Sequence, residues 1–300
     1  MDKNVALFAL LSLAVSCFAS DQAFVHGTVQ REGFRLHYRV YGTGAPVVML
    51  AGGPGADCDY LEPVARELGK TNRAILVELR GTGRSLPPAI NRETIKLKLY
   101  LADLEALRTQ LKFQRWTLFG HSAGGLLVME YTAAYPNRVR SLVLADSQPI
   151  AGESKCNSFR NNIKMRLTPE ERSALDKATA SRDYDTASRL MTPGYFYDRA
   201  KGLAAAAASR PDSSHPEISR LLAQDASHDV RPLLKNFAGP VLVIAGRQDP
   251  FDPACQHAIG SAFKKFEVKL IDRCGHRPWV EQPEEFYHVL RDFLARARLQ

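Results

Sequence analysis

Apolar residues fall into two rhythms along this chain, and their alternation predicts most of its architecture. Between Phe24 and Gly42, Phe34, Leu36, Tyr38 and Val40 alternate with Arg35, His37 and Arg39. A period of two predicts a hairpin with one face in solvent and a turn near Arg31-Glu32-Gly33. Val47 to Leu50, Ala74 to Leu79, Trp116 to Phe119, Ser141 to Ala145, Pro240 to Gly246 and Glu267 to Ile271 are instead short, largely continuous apolar runs. Such runs predict strands covered on both faces. Helical spacing lies between them: about a dozen residues ending at Leu68, about Glu93 to Leu111, a stretch with Leu126, Leu127, Met129 and Tyr131 closed by Pro136, and about Pro283 to Arg298. The class is therefore α/β, with a mostly parallel sheet and helices on both faces. The rhythm breaks after Asp146, where no strand run follows until about Pro232 and Pro169, Pro193, Pro211 and Pro216 punctuate helix formers. An inserted helical cap over 147–232 is expected between core segments 20–146 and 233–300, at the carboxyl edge of the sheet where such sheets bind ligands.

The N-terminus has a different pattern. Lys3 precedes an apolar run from Val5 to Val15, and Cys17-Phe18-Ala19 offers small residues where a signal peptidase cuts. The run is too short to span a bilayer, so residues 1–19 read as an export signal, and the chain as secreted or periplasmic. A loose lipobox at Leu13 to Cys17 leaves a lipid anchor on Cys17 as the alternative, the one route to a membrane. Export gives meaning to the remaining cysteines, Cys58, Cys156, Cys255 and Cys274, an even number bound for an oxidising compartment. The expected pairs are Cys255 with Cys274 and Cys58 with Cys156. Their spacing suits neither a zinc site nor a redox pair. The net charge of +8 is spread among acids without a basic run, which excludes a dedicated nucleic-acid surface.

Candidate chemistry begins at Gly120-His121-Ser122-Ala123-Gly124. A G-x-S-x-G pattern between a strand and a helix places a serine hydroxyl on a sharp elbow, and its glycines leave room where side chains would collide with the neighbouring strand and helix. A serine hydroxyl needs a base within reach, and the base needs a carboxylate to fix its tautomer. Asp249 and His276 each follow a predicted strand, so both loops reach the same edge as Ser122. Asp252 and Asp146 are rivals for the carboxylate role, and His121, pointing away from its neighbour on the elbow, reads as packing or as a support behind the site residues. The backbone N–H groups of Ala123 and Gly53, with Gly52 as the lesser alternative, are the candidate donors to an oxyanion. Tyr195, Phe196 and Tyr197 read as cap core, with an acyl pocket as the alternative. No cofactor or metal is expected.

These residues resemble the α/β-hydrolase superfamily over the whole mature length except the cap. Gly52-Gly53-Pro54-Gly55 and Arg80-Gly81-Thr82-Gly83-Arg84-Ser85 are similar to the proline iminopeptidase branch, the S33 peptidases. Gly275-His276-Arg277-Pro278-Trp279 is similar to the superfamily's histidine segment. The resemblance implies a hydrolase of small esters, amides or short peptides that forms an acyl-enzyme on Ser122. Serine at the elbow, rather than aspartate, argues against dehalogenase and epoxide hydrolase chemistry. Two departures stand out: Ala51 replaces the histidine that usually opens the loop, removing a support, and Ala123 replaces a tryptophan usual in iminopeptidases. Iminopeptidases hold the substrate amine with cap acids, for which Glu153, Glu170, Glu171, Glu217, Asp225 and Asp229 are available. The leading expectation is an esterase or amidase. Prolyl aminopeptidase and a non-catalytic ligand-binding protein are the alternatives.

Overall fold

The computed structural model describes residues 24–150, 156, 158–209, 215–225 and 229–299. Residues 1–19, expected as an export signal, and Glu153 lie outside them. Strands β1 (Val25–Arg31), β2 (Phe34–Tyr41), β3 (Pro46–Leu50), β4 (Arg73–Val77), β5 (Trp116–His121), β6 (Val139–Ala145), β7 (Val241–Gly246) and β8 (Phe266–Ile271) form one sheet in the order β1-β2-β4-β3-β5-β6-β7-β8. The β1–β2 and β2–β4 pairs are antiparallel and the remaining five parallel. Helices α1 (Glu62–Gly69), α2 (Leu97–Gln110) and α3 (Ala123–Ala134) connect the first half. Between β6 and β7 lie α4 (Phe159–Met165), α5 (Pro169–Ala180), α6 (Tyr184–Met191), α7 (Arg199–Ala207), α8 (Pro216–Asp225) and α9 (Arg231–Leu234), where the helical cap was expected. The chain ends with α10 (Pro253–Ser261), α11 (Pro278–Glu281) and α12 (Pro283–Arg298). Among the described residues no helix is long and apolar enough to cross a membrane.

The continuous apolar runs follow from two-sided burial. Successive strand residues point to opposite faces. Val48, Leu50, Leu118 and Leu144 pack against α2 and α3, whereas Val47, Met49, Phe119 and Val143 pack against α1 and α12. Both faces are covered, so β3 reads without alternation, and β5 takes a polar Thr117 within its apolar run by pairing that hydroxyl with Ser141 Oγ at 2.8 Å. The hairpin departs from its pattern at Arg39, expected in solvent: it is buried, and its guanidinium pairs with Asp59 and with Glu62 at 2.9 Å. Aspartate and glutamate from the segment entering α1 satisfy a cation that would otherwise be costly to bury. Helix α2 starts four residues later than the periodicity predicts, because Asn91 and Thr94 close a turn and Lys96 stays extended.

Disulfide pairing departs from expectation. Cys156 bonds Cys255, with Cα atoms 5.7 Å apart, while Cys58 and Cys274 are free and buried. Cys58 and Cys274 fill the core on the α1/α12 face. Cys255, on α10, instead meets the start of the inserted segment. The bond spans 99 positions and ties the insertion to the core. Replacing both bonded cysteines by serine should lower stability by about 2–4 kcal/mol, read as a reduced urea midpoint under non-reducing conditions; an unchanged midpoint would mean the bond constrains nothing.

Candidate active site

Ser122 occupies the turn between β5 and α3 with φ 52° and ψ −121°, a strained conformation for a residue with a side chain. Its N–H donates to Ala145 O at 3.0 Å, and its carbonyl accepts from Gly125 N–H and Gln148 N–H, both at 2.9 Å. The glycines of the motif are explained by contact. A Cβ on Gly120 would meet Gly124 O at 2.4 Å in the helix, and one on Gly124 would meet Leu50 O at 2.3 Å on β3. The elbow is thus wedged between strand and helix with no room for a methyl group.

His276 and Asp249 meet where the sequence placed them. His276 Nδ1 lies 2.6 Å from Asp249 Oδ2, and Asp249 Oδ1 accepts from Phe251 N–H at 2.5 Å. Both side chains are buried. Burial pushes the imidazole pKa below its ordinary value, with the Arg277 and Arg166 guanidiniums adding to the effect, and pushes the Asp249 carboxyl up. Of the two rivals, Asp252 caps α10 through Ala254 N–H at 2.7 Å. Asp146 lies beside Asp249, fully buried. Its Oδ1 accepts from Gly246 N–H at 2.9 Å, and no donor faces Oδ2. Burial, reinforced by the Asp249 charge, holds the Asp146 pKa well above the carboxylate range. A protonated Asp146 can donate through Oδ2 to Asp249, which removes the repulsion of two buried carboxylates. Asp146, Asp249 and His276 each offer one ligand atom within 4.8 Å of the others, a set that could hold a metal ion. The direct Nδ1–Oδ2 hydrogen bond and the nearby guanidiniums suit a shared proton better than a cation.

Gly275 precedes the histidine because its position leaves no room for a side chain. A Cβ there would meet Tyr195 O at 2.2 Å, and His276 N–H donates to that carbonyl at 2.7 Å. The inserted segment therefore rests directly on the histidine loop. Glu281 ties them further, accepting Gly275 N–H at 2.6 Å and Asp198 N–H at 2.8 Å.

Ser122 opens into a cavity of about 650 Å³ whose walls include Leu126, Leu127, Ile150, Phe159, Tyr195 and Phe251. Phe159, Tyr195 and Phe251 also pack on the His276 ring, with centroids 5.1, 5.5 and 5.8 Å away. Three rings of the cavity into which Ser122 opens therefore pack on the imidazole, while no hydrogen bond joins the Ser122 hydroxyl to His276; such bonds often tighten only in the substrate complex. Gly53 and Ala123 line the same cavity. Of the aromatic trio, Tyr195 alone lines it; Phe196 is buried under Arg277 and Tyr197 is exposed. The described acids singled out earlier are engaged elsewhere or exposed. Glu171 caps α5, Glu217 pairs with Arg220, Asp225 accepts Leu97 N–H, Asp229 pairs with Arg231, and Glu170 is exposed. The carboxylate lining the cavity is Glu130, on α3. A lone acid in an otherwise apolar helix was its signal in the sequence.

The geometry invites comparison with known proteins, and a family model described as the alpha/beta hydrolase fold matches residues 45–283. The chain belongs to the α/β-hydrolase family. This α/β hydrolase is 24% identical over 294 residues to the proline iminopeptidase of Lactobacillus helveticus (strain DPC 4571), covering 90% of this chain and 97% of that protein. Among solved structures it is similar to the esterase RhEst1 from Rhodococcus sp. ECU1013, at 26% identity and TM-score 0.72, covering 91% of this chain and 98% of that one. It also shares the fold of a proline iminopeptidase from Mycobacterium smegmatis, at 22% identity and TM-score 0.71, covering 92% and 99%. The resemblance read from the motifs and these comparisons agree.

Proposed function

We propose that this chain is an exported serine hydrolase that cleaves a carboxylic ester or amide through an acyl-enzyme on Ser122. The observation that carries the reading is the set of rings between them: Phe159, Tyr195 and Phe251 line the cavity into which Ser122 opens and also pack on His276, whose Nδ1 is held by Asp249. In this mechanism Ser122 Oγ attacks the substrate carbonyl carbon while His276 Nε2 takes its proton. The negative oxygen is met by the N–H groups of Ala123 and Gly53. His276 then returns the proton to the leaving alcohol or amine, and water attacks the acyl-enzyme by the same route. Asp249 keeps the proton of the neutral imidazole on Nδ1, leaving Nε2 to act as base. Export is supported by the charged-then-apolar N-terminus and by the Cys156–Cys255 bond, which suits an oxidising compartment.

An ester is the favoured substrate because the cavity walls are more apolar than polar and the described cap acids available for an amine lie elsewhere. The prolyl aminopeptidase reading rests on the iminopeptidase relatives and on Glu130 as a carboxylate within the cavity. A panel of short-chain aryl esters against proline aryl amides, run with the mature chain, separates the two. Labelling by a fluorophosphonate, with the adduct mapped to Ser122 by peptide mass spectrometry, tests the nucleophile; no labelling and no turnover would favour a ligand-binding protein.

The buried base also has a pH consequence. His276 must be unprotonated to accept the serine proton, and burial penalises its charged form, so more acid is needed to protonate it than an exposed imidazole requires. The acid limb of kcat/KM for a neutral ester should have its midpoint below 6.5. A midpoint above that value would mean the Asp249 charge outweighs burial.

A further inference from the structure

Ala51 removes the side-chain support that usually opens the oxyanion loop, and the structure shows another in its place. Gly52 N–H donates to Tyr60 Oη at 2.6 Å, Tyr60 Oη lies 2.7 Å from His121 Nδ1, and His121 Nε2 lies 2.9 Å from the backbone oxygen of His276. The direction of each bond follows from elementary donor rules. A backbone N–H can only donate, so Tyr60 Oη accepts from Gly52 and its own proton is available for His121 Nδ1. Nδ1 is then the acceptor of the ring, the proton sits on Nε2, and Nε2–H donates to the His276 carbonyl. Every member of this chain is satisfied in only this one sense.

We propose that Tyr60 and His121 form a brace that sets the spacing between the oxyanion loop and the histidine loop, with Tyr60 as a positioning residue for the Gly53 donor. The proposal rests on the serine hydrolase reading. Several observations leave the brace little slack. A Cβ on Gly52 would meet Ser122 Cβ at 2.7 Å, so the loop is pressed against the elbow. With its N–H held by Tyr60, Gly52 is not available to an oxyanion, which leaves Gly53, at φ 121° and lining the cavity, as the loop donor. The Tyr60 ring lies under the Arg277 guanidinium, 5.0 Å from its centroid, and stacks on Trp279 at 6.2 Å. His121 meets Trp279 edge-on at 4.9 Å and the His276 ring at 4.7 Å. Arg277 and Trp279 both follow His276 in the chain, so the ring that holds one loop is itself clamped by the other. Burial pushes the His121 pKa well down, which favours the neutral ring that the hydrogen-bond directions require.

Tyr60→Phe keeps the ring, the stacking and the cation contact but removes the hydroxyl. It should lower kcat for an aryl ester by about 10- to 100-fold with KM within about twofold, because the lost placement matters where charge develops on the oxygen. Affinity for an aryl boronic acid, which forms a tetrahedral anion on serine, should fall in parallel, while Tm moves by only a few degrees. Adding His121→Ala to Tyr60→Phe should cost little beyond the larger single effect, since both cut one chain of bonds. Unchanged kcat and boronate affinity in Tyr60→Phe would overturn the brace, as would a loss appearing only in KM. Additive effects in the double variant would do the same. Should His121→Ala fail to fold, Tyr60→Phe alone decides. The unmodified protein is the control for the underlying reading: if it neither turns over esters nor binds the boronic acid, the hydrolase assignment fails rather than the brace.

Discussion

Ser122→Ala is expected to lower kcat for a short-chain aryl ester by roughly four to six orders of magnitude. The substitution removes the atom that would form the covalent bond and little else. Ser122 Oγ makes no hydrogen bond among the described residues, and the elbow is held through its backbone N–H and carbonyl, which alanine retains. The positive φ is no harder for alanine than for serine. Stability should therefore stay within about 0.5 kcal/mol, as for substitutions that break no packing or polar network. Activity and stability must separate for the serine to be the nucleophile. Turnover unchanged in a folded variant would remove Ser122 from the chemistry, and turnover lost together with the fold would be answered by the fluorophosphonate label on the unmodified protein.

Asp249→Asn should lower kcat/KM by about 10³- to 10⁴-fold. An asparagine amide can turn its NH₂ toward Nδ1, which then accepts and moves the imidazole proton to Nε2, the nitrogen that must act as base. The comparison that gives this test its force is Asp146→Asn. Asp146 sits in the same buried cluster, accepts Gly246 N–H, and has its pKa pushed well up by burial beside Asp249, which favours its neutral form. An asparagine there can still accept from Gly246 and still donate to Asp249, so the loss should stay below about tenfold. If Asp146→Asn were the more damaging of the two, Asp146 would be the orienting acid and the 2.6 Å contact between Asp249 and His276 would have to be rearranged in the working enzyme.

The brace and the two carboxylates bear on how one edge of a parallel sheet becomes a site. Loops after β3, β5, β6, β7 and β8 converge there, and each is bonded to another. Ser122 is tied to Ala145 at the end of β6, Asp146 to Gly246 at the end of β7, and His121 to the carbonyl of His276. The inserted helices join this network at Tyr195 O and through Asn162, which donates to Pro250 O at 2.8 Å. The segment that shapes the cavity therefore also holds the loops of Asp249 and His276.

By itself the sequence determined the elements and which candidate positions the fold would bring to one edge. Apolar runs of strand length, helical spacing and proline stops are properties of neighbours along the chain, so β5, α3 and α12 were legible, α12 to the residue. The glycines around Ser122 carried their meaning too, because the elbow that needs them is a local turn. Chain order then placed Ser122, Asp249 and His276 at one edge, since parallel strands put all their carboxyl ends together. Only the tertiary structure decided what depends on distance through space. Cys156 and Cys255 are 99 positions apart, Tyr60 and His121 are 61 apart, and His121 lies 155 from the carbonyl it meets. The burial of Arg39, the partners of the cap acids and the arrival of Glu130 in the cavity are of the same kind. Each depends on how helices pack against a sheet and against one another, and side-chain periodicity records which face is buried but not which distant residue is buried against it.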